Sequence, residues 1–215
     1  MKTMKMLLPM LLVAALAFVS CNTNDDVEPY VYEYLTQAEK TQQINDMKGQ
    51  YTGLCRFAPD NYFQVFTDSV EASWTVDATD TTLVIENFPM KAFAKSIVNT
   101  QVQEALKNDS THSLTTRLYL YRPWGSSGPL NNCYFDVIPQ GSKELEVVVP
   151  LDYGGEVKNT TFVFGTDYRN SISSVGEYVG KETFLFYLIL NQIKVENGPT
   201  CDAYTLLGFV GKKTK

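Results

Sequence analysis

Hydrophobic and polar positions along this chain change their period several times. Thr36, with Glu39 three residues later, forms a capping box at the start of a helix that runs to Lys48, and Gly49 supplies the stop. From Gln50 the period becomes two. Tyr51–Phe57, Tyr62–Phe66, Val70–Val76 and Thr81–Phe88 read as strands, separated by turn residues at Pro59-Asp60-Asn61 and Asp77–Asp80. Over residues 90–107 the apolar positions Phe93, Ile97, Val98, Val102, Ala105 and Leu106 recur at three- and four-residue steps, with Pro89 suited to a first turn. This predicts an inserted amphipathic helix that covers a sheet or one end of a barrel. Six further strands are predicted at Leu114–Tyr121, Cys133–Ile138, Glu144–Leu151, Lys158–Gly165, Thr183–Val195 and Ala203–Val210. The unbroken apolar run Phe184–Leu190 marks a strand buried on both faces. Gln140-Gly141-Ser142 and Asn197-Gly198-Pro199 read as hairpin turns.

About ten strands and two helices give a mainly β fold. Short connections favour an antiparallel meander β-barrel, with a two-sheet β-sandwich as the alternative. The helix, the segment Gly49-Gln50-Tyr51-Thr52-Gly53 and the later Glu86-Asn87-Phe88-Pro89 together resemble lipocalin-like lipoproteins of unknown function from Bacteroidales. The resemblance implies a barrel interior able to hold a small apolar ligand.

The N-terminus carries an address. Lys2 and Lys5 precede an apolar run, Met6–Val19, which is shorter than the roughly 20 residues a membrane span needs. Phe18-Val19-Ser20-Cys21 resembles a lipobox, although Phe18 stands where Leu is usual. Acylation of Cys21 would anchor the chain through buried methylenes, each contributing about 0.8 kcal/mol; a plain secretory signal with no acyl chain is the alternative. By resemblance to lipoprotein sorting, Asn22 favours the outer membrane. Asp25-Asp26 resembles a surface-export signal, and it equally suits a solvated linker. The expected division is a lipoprotein signal peptide at 1–20, a tether at 21–35 and a single lipocalin-like β domain at 36–215.

Charge narrows the partners. Without residues 1–20, which hold Lys2 and Lys5, 16 basic and 24 acidic residues remain, a net charge of −8. Such a surface repels phosphate, so nucleic acid is excluded. No cofactor motif is present, and the cysteines lack zinc-site spacing. Cys55 falls in the first predicted strand and Cys201 at the start of the last, just before Ala203, which makes them the leading disulfide pair if those strands adjoin; a buried free thiol is the alternative for each.

No catalytic constellation emerges. The single histidine, His112, sits among polar loop residues, and Glu144 and Glu146 read as solvated strand charges. Two loops could bind a partner. The first runs from Arg122 to Asn132 around Trp124, which can stack on a sugar, seat in a partner pocket or fold back to plug a barrel end. The second runs from Gly165 to Lys181 and holds Tyr168, Arg169 and Tyr178. Ser69, Thr81 and Ser110 each follow an Asp, in the manner of Bacteroidetes O-glycosylation acceptors. The sequence therefore leads to the expectation of a non-enzymatic lipoprotein of the outer membrane, on its surface or its periplasmic face. It would bind a small apolar ligand, a glycan or a protein partner. An accessory subunit of an outer-membrane complex is the alternative, and a carboxylate-based hydrolase a distant third.

Overall fold

The computed structural model describes residues 33–214 apart from 58–65, 67, 92–93, 95–96, 108, 110–111, 127, 141–144 and 166–173. The signal segment, Cys21, most of the tether, Ser110, Tyr168, Arg169 and nearly all of the strand predicted at 62–66 lie outside the described residues.

Helix α1 (Gln37–Met47) starts as its cap dictates: Glu39 N–H donates to Thr36 Oγ1 at 3.2 Å and Thr36 N–H to Glu39 Oε2 at 2.7 Å. Its Ile44 and Met47 are buried, and so is Leu35 just before it. Packing thus begins inside the segment expected to be tether.

Among the described residues ten strands follow: β1 (Gly49–Phe57), β2 (Asp68–Asp77), β3 (Thr82–Phe88), β4 (His112–Tyr121), β5 (Cys133–Ile138), β6 (Leu145–Asp152), β7 (Val157–Phe164), β8 (Val175–Val179), β9 (Thr183–Val195) and β10 (Thr200–Lys213). All pairings are antiparallel. Strands β1-β2-β3-β4-β5-β8-β9-β10 run in that order, and β10 returns to pair with β1, which closes an eight-stranded barrel and rules out the sandwich. The β6–β7 hairpin hangs from β9. One edge of β9 carries β10 throughout; the other is divided, with Thr183–Phe186 on β8 and Leu190–Val195 on β7.

The closing seam is tight. Gly53 of β1 faces Gly211 of β10, and a Cβ on Gly53 would lie 2.0 Å from the Val210 carbonyl oxygen. A Cβ on Gly211 would meet Trp74 Cη2 at 2.5 Å, so the missing side chain makes room for an indole.

Three expectations are corrected. The inserted helix is short: α2 spans Thr100–Lys107, and Met90, Lys91 and Ala94 lie in 3-10 turns. Asn99 sets its start, its Oδ1 accepting from Val102 N–H at 3.1 Å. Gln140-Gly141-Ser142 does not close a hairpin, because β5 pairs with β4 and β8 whereas β6 pairs with β7. And the loop expected from Gly165 to Lys181 contains β8.

Candidate functional site

The barrel interior is occupied by its own side chains. Trp74, Phe184, Phe186 and Phe209 are fully buried, each burial contributing on the order of 2 kcal/mol. Phe186 and Phe209 stack at 4.4 Å between ring centroids, Trp74 meets Phe186 edge-on at 5.4 Å, and Tyr51 and Phe135 each lie 4.9 Å from Phe184. Phe88 and Phe164 extend the cluster, their centroids 5.4 Å apart. A small apolar ligand in the space these rings fill would have to displace their packing, and the grooves lined by described residues lie elsewhere.

At one end of the barrel, the loop after β4 is held by Arg122. The Arg122 side chain is only 5% exposed, and it donates to Gly128 O at 2.6 Å and to Glu39 Oε1 at 2.9 Å. Hydrogen bonds from Thr36, backbone first, and then the Arg122 charge hold the Glu39 carboxyl below the usual range. Arg122 is therefore a strut between α1 and the loop rather than an open ligand contact. What it supports is Trp124, which stands 74% exposed and does not plug the barrel. Tyr178 was expected in a binding loop but points inward from β8, its hydroxyl donating to Lys181 O. Burial raises its pKa. One side of it reaches a groove of about 410 Å³ with Gln42, Gln43, Leu130 and Lys181.

Next to Trp124, the outer wall of β4, β5 and β8 carries a constellation that sequence reasoning missed. Leu118 and Leu120 point inward, so Tyr119 and Tyr121 point outward. In register, Tyr121 lies opposite Tyr134 and Tyr134 opposite Glu177; one row along, Tyr119 lies opposite Asp136. The Tyr121 and Tyr134 rings are 6.4 Å apart, and Lys40 of α1 sits 5.8 Å from the Tyr119 ring. Glu177 is fixed by Asn132 Nδ2 at 2.7 Å. Asp136 is half-buried, its carboxylate makes no hydrogen bond or ion pair with a described residue, and burial raises its pKa. The signal was available in the alternation Leu118-Tyr119-Leu120-Tyr121.

A larger groove, about 830 Å³, runs between α2 and the β6–β7 turn and is lined by Glu104, Asp109, Asp152, Tyr153, Glu156 and Lys158 among others. Its acids are engaged locally: Asp109 with His112 Nε2 at 2.8 Å, Asp152 with Gly155 N–H at 2.6 Å, and Glu156 with Lys158 at 3.0 Å.

The Cys55–Cys201 bridge is not formed, although β1 and β10 do adjoin. Cys55 faces Phe209, whereas Cys201 sits near the other end of β10 facing Ile193. That separation along one strand is roughly 26 Å, against the 7 Å limit for a disulfide. Cys55 is instead a buried thiol whose pKa burial raises, and burial likewise pushes Cys133 up to about 11. Ser69 lies exposed on β2, and Thr81 sits half-buried in the β2–β3 turn with φ of 53°.

Residues 46–195, over half the chain, match the profile of the family described as Domain of unknown function (DUF4840). The chain belongs to this family. The DUF4840 match begins at the end of α1 and stops at the end of β9, so β10, which closes the barrel, lies beyond it. Comparison with curated proteins and with solved structures finds no match to this DUF4840 chain.

Proposed function

We propose that this protein is a lipid-anchored binding module of the outer membrane, held through Cys21, which recognises its partner on the outside of the barrel. The observation that carries the reading is the aromatic packing of the interior, which leaves Trp124 and the outer wall as the presented surface. The basic-apolar-Cys21 pattern supports the anchor, and the acidic charge makes nucleic acid an unsuitable partner. A second reading, an accessory subunit that docks a basic segment of another protein, is favoured by the acidic lining of the groove beside α2.

Native mass spectrometry of protein purified from its own membrane tests the proposal. The expected species begins at Cys21, carries acyl chains and retains no small apolar molecule. An unmodified amine on Cys21 would remove the anchor, and a stoichiometric apolar ligand would return recognition to the interior.

A further inference from the structure

The β4–β5–β8 wall combines features that ordinary surfaces keep apart. Three tyrosines, Tyr119, Tyr121 and Tyr134, occupy outward positions on adjacent strands, spaced about 5 Å across the strands and about 7 Å along them. Tyr119 is 51% exposed, and Trp124 follows Tyr121 by three residues. Exposed ring faces leave apolar area in water, which marks a surface that something covers.

The polar groups decide what. Among the rings stand two carboxylates. Glu177 is pre-oriented by Asn132, whose Oδ1 also accepts from Gly180 N–H at 3.4 Å. Asp136 is an acceptor partly withdrawn from water with no donor among the described residues. Such a group carries a desolvation cost until a donor arrives. A purely apolar partner would deepen that cost, because it would cover Asp136 and bring no hydrogen. An anion would be repelled. A ligand with apolar C–H faces and a rim of hydroxyl donors satisfies both halves of the surface: its faces stack on the rings and its hydroxyls donate to Asp136 and Glu177. The wall is an open platform along two strands, which suits successive rings of a chain better than a single small molecule.

We infer that the outer wall formed by Tyr119, Tyr121, Tyr134, Asp136 and Glu177, flanked by Trp124, is a binding site for a neutral oligosaccharide. This rests on the exterior-binding reading and names its ligand class.

The test uses the full, detergent-solubilised chain and calorimetric titration with the hexasaccharides of β-1,4-glucan, β-1,3-glucan, β-1,4-xylan, β-1,4-mannan and α-1,4-glucan. Binding to at least one is expected, and Tyr119→Ala, Tyr134→Ala and Trp124→Ala should each weaken it by roughly tenfold. Asp136→Asn should weaken binding equally without lowering the melting temperature, a combination that general unfolding cannot produce. Three results overturn the inference: no binding to any of the five, binding untouched by Tyr119→Ala and Asp136→Asn, or binding to tetramethylammonium in their place, which would make the rings a cation cage. These outcomes are independent of the anchor. A protein that binds sugar but lacks acyl chains defeats the membrane reading alone, and a correctly acylated, folded protein that binds none defeats the sugar alone.

Discussion

Replacing Gly53 with alanine tests the closure of the barrel most directly. The new Cβ would lie 2.0 Å from Val210 O and 2.4 Å from Gly211 Cα, both backbone atoms of the partner strand. No rotamer change can relieve these contacts, so β1 and β10 must separate by more than an ångström at the third pair of their seven-pair ladder. Overpacking in a well-packed site costs about 1–3 kcal/mol, and the weakened hydrogen bonds flanking the clash add about 1 kcal/mol each. A total of about 3–5 kcal/mol follows, which for a domain of this size lowers the melting temperature by roughly 10 °C. Gly165→Ala is the matched control: its Cβ meets only the Asn191 side-chain amide, at 3.2 Å, and should cost under about 1 kcal/mol. Urea titration and thermal melts followed by circular dichroism read both variants. If Gly53→Ala stays within about 0.5 kcal/mol of the wild type, the close approach of Gly53 and Gly211 is wrong and so is the seam. The double variant Gly53→Ala/Gly211→Ala should cost less than the sum of the two, because one strand separation relieves the backbone clashes of both, while the contact of the Gly211 Cβ with Trp74 remains.

Asp136→Asn should stabilise the protein at neutral pH. The folded pKa is raised, so the folded state holds its proton longer; the penalty grows as pH rises through the window that opens near the unfolded value of about 3.9, and it is complete above the folded pKa. Melts across pH should show the variant ahead at pH 7 and level with the wild type well below pH 4; an advantage that persists in strong acid would point to another cause. Arg122→Ala should cost about 2 kcal/mol through the lost charged hydrogen bond to Gly128 and the lost packing of its stem, and Arg122→Lys should not restore it, because one ammonium cannot span Gly128 and Glu39 as the guanidinium fork does. Equal stability of the lysine variant in chemical denaturation would refute the strut. Under native conditions iodoacetamide should leave Cys55 and Cys133 unmodified, and peptide mapping without reductant should find no Cys55–Cys201 cross-link; recovery of that cross-linked peptide would contradict the register of β10.

The sequence was most legible where side-chain alternation and core position coincide. Cys133–Ile138 and Thr183–Val195 were read with their observed limits, but the run Phe184–Leu190 is not buried on both faces throughout: Leu185 is half-buried and Tyr187 exposed, and only Leu188, Ile189 and Leu190 are buried in succession. The capping box at Thr36 was equally plain, being a local hydrogen-bond exchange. The inserted helix was overread because Ile97, buried ahead of α2, reads as part of one apolar face with the buried Val102, Ala105 and Leu106, whereas Val98, read as part of the same face, is 81% exposed. Strand β8 was missed for a reason that lies on its neighbour: the inward position Gly176 carries no side chain because the Phe135 ring fills that space, a Cβ there meeting Phe135 Cε2 at 2.2 Å. With β8 unseen, Tyr178 passed for a loop residue. Of the site, the sequence showed Trp124 as a candidate, but not the wall beside it. That wall depends on which strands pair, and the return from β5 to β8 skips the intervening β6–β7 hairpin.

The pairing of β1 with β10 governs when this protein can become itself. The first strand to emerge during synthesis waits for the tenth, and until Thr200–Lys213 arrives both β1 and β9 present open edges. So long-range a closure is slow, and a chain arrested before β10 has its hydrophobic ribbon uncovered. Fragments ending short of that strand should therefore be sticky and short-lived. Crossing a membrane before folding would suit this topology, since the chain could travel as an unfolded thread and seal only on delivery.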